Sequence, residues 1–177
     1  MFPPIKCAII LAIASFTACH STAQLAQTPP SQNPIPTTVN NQDTPTDFQK
    51  EMLQRVNTLR ATGCKCADKK MPPVSSLAWN TQLEDAAIRH AADMATHNRF
   101  NHVGSDGSEV DKRATDAGYK WSDIGENIAF GYFNVEKVVL GWINSPGHCK
   151  QMMNPDFKEM GAAQNGTYWV QVFGKQL

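Results

Sequence analysis

Beyond residue 46, apolar positions first recur at helical spacing and then, near the C-terminus, switch to strand spacing. Phe48, Met52, Val56 and Leu59 line one helical stripe. Its start reads as Thr44-Pro45-Thr46-Asp47, with Thr44 as N-cap and Pro45 in the first helical position. A second helix opens at Thr81-Gln82-Leu83-Glu84, a capping-box pattern, and carries Leu83, Ala87, His90, Ala91 and Met94 on one face. Its alanines imply close packing against a neighbour. Ser108 is placed to cap a short third helix ending at Gly118, and Asn134 to cap a fourth that turns Val135, Val138, Val139 and Trp142 inward. Ser145-Pro146 interrupts that helix and starts a short fifth. Met160 to Gln164 and Tyr168 to Gly174 read as strands joined by Asn165-Gly166, a dipeptide suited to a type I′ turn, and Ile124 to Phe130 reads as a third strand. Helices with a small antiparallel sheet make an α+β layer architecture rather than a βαβ one.

The N-terminal stretch breaks this pattern. Lys6 is followed by an apolar run from Cys7 to Ala18, too short to span a bilayer as a helix, which reads as a signal sequence. Phe16-Thr17-Ala18-Cys19 resembles a bacterial lipobox with Phe where Leu is usual, so Cys19 is the expected lipidation site; Ser21-Thr22-Ala23 offers a competing cleavage site. Residues 20–46 are dominated by Pro, Thr, Gln, Asn and Ser and cannot bury enough apolar surface to offset their ordering entropy. The expected organisation is a signal peptide over 1–19, a disordered spacer over 20–46 and one folded domain over 47–177.

Lys+Arg and Asp+Glu both number 16, so no net field draws the chain to nucleic acid or to an anionic polymer. Export implies an oxidising compartment, where Cys64, Cys66 and Cys149 would give one disulfide and one odd thiol. Cys149 would pair with one of the closely spaced two, Cys66 being preferred and Cys64 the alternative. A zinc knot of Cys64, Cys66, His148 and Cys149 is disfavoured because its spacings do not match structural zinc sites.

Chemistry-bearing residues concentrate in three segments: Phe100-Asn101-His102 running into Gly104-Ser105-Asp106-Gly107, then Gly125-Glu126-Asn127-Ile128-Ala129, then Trp142 through Ser145-Pro146-Gly147-His148-Cys149. With Asn154 to Gly161 and Tyr168 to Gly174 behind them, these segments resemble, in order, the signatures of the CAP superfamily, the cysteine-rich secretory and pathogenesis-related-1 (SCP-domain) proteins, in their bacterial extracellular form. The resemblance covers about residues 50–174. It implies an α-β-α sandwich with a three-stranded antiparallel sheet between helical layers. It also implies a cleft in which many members hold two histidines and two acidic residues. His102 and His148 match the histidines and Glu126 one acid; Ser145 stands where many members have the second.

Two imidazoles and one carboxylate could hold zinc or another divalent metal, with His102, His148 and Glu126 as ligands and an open water position. Hydrolysis would also need a base, for which Glu126 is the candidate only if it is not a ligand. Ser145 precedes Pro146 and reads as a helix cap rather than a nucleophile. Asp106 joins Ser145 among the cleft residues. His90 is expected as a satisfied inner-face residue, His97 at the surface, and Trp79, Trp121, Trp142 and Trp169 in the core. These readings favour an exported, extracytoplasmic binding or interaction module whose partner is a lipid or sterol-like ligand or a cell-surface component, attached to a membrane through Cys19 if that residue is acylated. Catalytic residues are not assigned. A metal-dependent hydrolase of peptide or cell-wall material and a structural envelope lipoprotein are the alternatives. Apolar-ligand capture would require a groove between helices, which a sequence does not reveal.

Overall fold

A computed structural model describes residues 45–177. The expected signal sequence, Cys19 and all but the end of the expected spacer lie outside them. In chain order the elements are α1 (Asp47–Thr62), β1 (Cys64–Cys66), β2 (Lys69–Met71), β3 (Ala78–Trp79), α2 (Thr81–Thr96), α3 (Val110–Asp116), β4 (Trp121–Phe130), α4 (Val135–Ile143), α5 (Pro146–Met152), β5 (Glu159–Asn165) and β6 (Tyr168–Gln176).

Helix starts follow the polar residues of each boundary, sometimes one or two positions from where the pattern puts them. Thr46, not Thr44, caps α1: its hydroxyl accepts from the Gln49 amide while the Gln49 side chain returns to the Thr46 amide. Asn80, not Thr81, caps α2, accepting from the amides of Gln82 and Leu83. Asn134 caps α4 as expected, through the Lys137 amide. The N-cap of α3 is Glu109 with no side-chain bond, and Ser108 instead turns its carbonyl to a buried arginine. Ser145 does precede α5, with Pro146 at its first position, but its hydroxyl makes no capping bond.

β5, β6 and β4 form the three-stranded antiparallel sheet, and two-residue β3 adds in parallel to the outer edge of β5, giving the order β3-β5-β6-β4. β1 and β2 form a separate antiparallel hairpin. In the β5–β6 hairpin Asn165 pairs with Tyr168, so the turn centres on Gly166-Thr167, one residue later than expected. Gly166 has φ +58° and Thr167 is not among the positive-φ residues. That pattern fits a type II′ turn, with glycine first, rather than type I′.

Alternation along β6 divides the core into two layers. Trp169 and Phe173 pack with Met52, Val56, Val138, Trp142 and Met160 beneath α1, α4 and α5. Val170 and Val172 pack with Leu83, Ala87, Ala91, Met94 and Ala114 beneath α2 and α3. The result is helices on both faces of the sheet, as the resemblance implies. Trp142 and Trp169 are buried, whereas Trp79 and Trp121 are only partly so. Arg60, fully buried on α1, gathers the carbonyls of Ser75, Met152, Asn154 and Phe157, tying α1 to the C-terminal end of α5. Burial disfavours its charge and lowers its pKa, and the four acceptors meet its donors.

Candidate functional site: a polar cleft and an apolar groove

β4 is the edge strand of the main sheet, so residues from both helical layers reach it. Its alternation sends successive residues to opposite faces. Glu126 pairs with Val172 and turns toward the α2–α3 layer; Asn127 pairs with Gln171 and turns toward α1 and α5.

Glu126 is buried, and both of its oxygens are engaged. Oε1 accepts from His102 Nδ1 at 2.7 Å, and Oε2 accepts from the Arg113 guanidinium at 2.7 Å. Because a carboxylate only accepts, His102 carries its proton on Nδ1, and its Nε2 is directed away from Glu126. The same arginine donates to the carbonyls of Ser108 and His102, locking the loop that carries His102. His90 is buried behind the pair, its Nε2 donating to the Asn101 carbonyl at 2.9 Å and lying 3.9 Å from Glu126 Oε1. Burial lowers the His90 pKa, so the ring is neutral and Nδ1 is a bare acceptor; among the described residues Nδ1 and Arg113 Nε have no protein partner. His90 is thus half satisfied rather than fully so.

On the other face, the Asn127 side-chain amide donates to the His148 carbonyl at 3.2 Å and to Gln171 Oε1 at 3.1 Å. It thereby fixes the first turn of α5 against β4. Burial, and secondarily the nearby His102, lower the His148 pKa and keep that imidazole neutral. The fold therefore brings His102 and Glu126 into contact, with His148 as an electrostatic neighbour. Among the described residues, the His102, Glu126 and His148 donor atoms do not converge as a three-ligand set, whereas the sulfurs of Cys64, Cys66 and Cys149 do. Cys66 and Cys149 are joined as a disulfide, and among the described residues Cys64 is a free thiol. Ser145 is half-buried at the start of α5, and none of the histidines bonds its hydroxyl among the described residues. Asp106 accepts from the Ser108 amide and borders a separate depression of about 210 Å³ with His90, Asp93 and Arg113.

Arg113, Asn127 and Gln171 are the site residues that sequence reasoning did not assign. Arg113 sits in a seven-residue helix rich in charge, and nothing local distinguishes it from a surface arginine.

A larger concavity of about 560 Å³ lies away from this cleft, between α1 and α4. Leu59, Val139, Leu140 and Ile143 supply its apolar walls, and the Glu51–Arg55 pair, 2.8 Å apart, stands on its rim. Leu140 is 47% exposed although it is apolar.

The model of the cysteine-rich secretory protein family, CAP, matches residues 53–173. The chain belongs to this family. Two curated relatives come from Bacillus subtilis (strain 168): the uncharacterized membrane protein YlbC, 28% identical over 131 residues, and the uncharacterized protein YkwD, 30% identical over 129 residues. The matches cover 74% and 71% of this chain but only 35% and 46% of those proteins, so the CAP chain spans less than half the length of either. An extracellular SCP-domain protein from Bacillus anthracis str. Ames superposes with a TM-score of 0.65 at 26% identity, covering 72% of this chain and 40% of its own. Among the described residues of this CAP domain no helix is long and apolar enough to cross a membrane.

Proposed function

We propose that the protein is an extracytoplasmic binding module that takes an apolar ligand, an acyl chain or sterol-like molecule, in the groove between α1 and α4. The observation carrying this reading is the groove itself, an apolar concavity whose 560 Å³ lies within the range of about 300–1,000 Å³ typical of small-molecule sites. Its wall runs along α1 from Glu51 to Thr62, roughly 16 Å at 1.5 Å per residue, which suits an extended chain. The extracellular SCP-domain neighbour supports the location outside the cytoplasm. Organic extraction of the purified protein followed by mass measurement tests the reading: a stoichiometric apolar molecule is expected, and an empty extract together with no saturable uptake of a fluorescent fatty acid would exclude it.

A divalent ion is a second reading for the polar cleft. With both Glu126 oxygens committed, the carboxylate does not fit as a ligand here; the fitting roles are His102 and His148 as the protein ligands and Glu126 as the group that orients His102. Such an ion would supply Lewis acidity. Glu126 is paired with Arg113, and among the described residues Ser145 has no histidine partner, so neither supplies a free base, and this arrangement favours binding over hydrolysis.

A further inference from the structure

Cys64 and Cys66 are two apart on β1, so the pleat sends both side chains to the same face of the hairpin, where α5 presents Cys149. The Cys66–Cys149 disulfide is buried with Met153 against Leu59, Met71 and Val74. The Cys64 thiol is only half-buried, and its sulfur lies 3.7 Å from Cys66 Sγ and 3.6 Å from Cys149 Sγ.

We propose that this three-sulfur cluster is a thiol–disulfide exchange site through which Cys149 passes between Cys66 and Cys64. The Cys64 thiolate attacks Cys149 Sγ, the Cys64–Cys149 bond forms, the Cys66–Cys149 bond breaks, and Cys66 leaves as a thiolate that takes up the proton Cys64 gave to solvent. One disulfide and one thiol enter and one of each leaves, so no oxidant or reductant is consumed. Being nearly equidistant from both sulfurs, Cys64 sits beside the bond rather than in line with it, and exchange waits on a rotation of its side chain. Loop closure does not discriminate the two isomers, because their sequence separations are 83 and 85. Their ratio is set by native packing, which favours the buried Cys66. The adjacent residue to Cys149 is His148, so the exchange acts at the base of the helix bordering the polar cleft.

The sequence supplies its own assay. Trypsin cuts after Lys65 and separates Cys64 from Cys66, so alkylation of the oxidised full chain followed by non-reducing peptide mapping reports which cysteine is free. After incubation above about pH 9, where thiols ionise, both Cys64 and Cys66 should carry label, in complementary fractions. Cys66→Ser should form the Cys64–Cys149 bond in place of the native one, and Cys64→Ser should give a single species that never labels Cys66. Label confined to Cys64 in the wild-type chain after prolonged incubation overturns the proposal, whether or not the Cys66→Ser variant folds. Two free thiols in folded, oxidised Cys66→Ser do the same.

Discussion

Replacing Arg113 with methionine removes one partner of an ion pair whose side chains are only 6% and 3% exposed and whose charged atoms approach to 2.7 Å. Solvent screening is therefore slight, and the loss leaves the Glu126 carboxylate buried with only His102 to answer it. Breaking a buried pair in this way costs about 3–5 kcal/mol. Two carbonyls, those of Ser108 and His102, also lose a donor, at roughly 1 kcal/mol each where water cannot replace it. Urea unfolding with the disulfide intact reads this directly: with a slope of about 2 kcal/mol/M, the midpoint should fall by roughly 2–3 M. In Arg113→Met/Glu126→Leu the stranded charge is gone, so the double variant should be more stable than the sum of the two single losses implies. A loss below about 1 kcal/mol, the magnitude of an exposed pair, or strict additivity in the double variant, would show that Arg113 does not neutralise Glu126.

Other outcomes follow from the same geometry. Burial holds His90 and His148 below the usual histidine value, so the unfolded chain binds more protons below about pH 6.5. Stability is therefore complete above that pH and declines as pH falls toward the folded values, by up to about 1.4 kcal/mol per pH unit for each histidine; urea midpoints between pH 7.5 and 5 measure it, and a shallower slope is expected for His90→Gln. Gly161→Ala would put a Cβ 2.1 Å from the Glu84 amide nitrogen and 2.5 Å from the Leu83 carbonyl carbon, both backbone atoms at the start of α2, so the strand and helix must separate. A loss at or above the roughly 1–3 kcal/mol of ordinary overpacking is expected, seen as a lowered thermal midpoint or insolubility. If zinc enters the cleft, calorimetric titration should show Glu126→Gln weakening it about 10–100-fold, the effect of losing an orienting partner, while His102→Ala/His148→Ala abolishes it.

Periodic elements were legible in the sequence because they bury a continuous face. The stripe Phe48-Met52-Val56-Leu59, the alanine face of α2 and the alternation of β6 each name their structure and their layer. The Asn134 cap was legible outright, but those of α1 and α2 only to within a residue or two, since neighbouring polar residues such as Thr44 and Thr46, or Asn80 and Thr81, compete until the incoming chain path selects one. β3 is two residues long and has no period to read, and Cys64 to Met71 is too lysine-rich to suggest strands. His102, Glu126 and His148 were named through the order of the motifs. The contact between Glu126 and Arg113 was not legible, because Arg113 approaches from another element. The groove arises where two helices meet, and that meeting is a property of the packed fold alone.

Titration of the full chain with a fluorescent fatty acid, in wild type and in Leu140→Asp, decides whether the groove between α1 and α4 takes an apolar ligand. Leu140 lines the groove and is about half exposed, so a charge there should spoil an apolar site while the fold persists, as circular dichroism can verify. Saturable binding is expected at one site per chain, weakened at least about tenfold by Leu140→Asp, a difference of 1.4 kcal/mol, and unchanged by Glu126→Gln. Absence of saturable binding, or binding indifferent to Leu140→Asp, would contradict it.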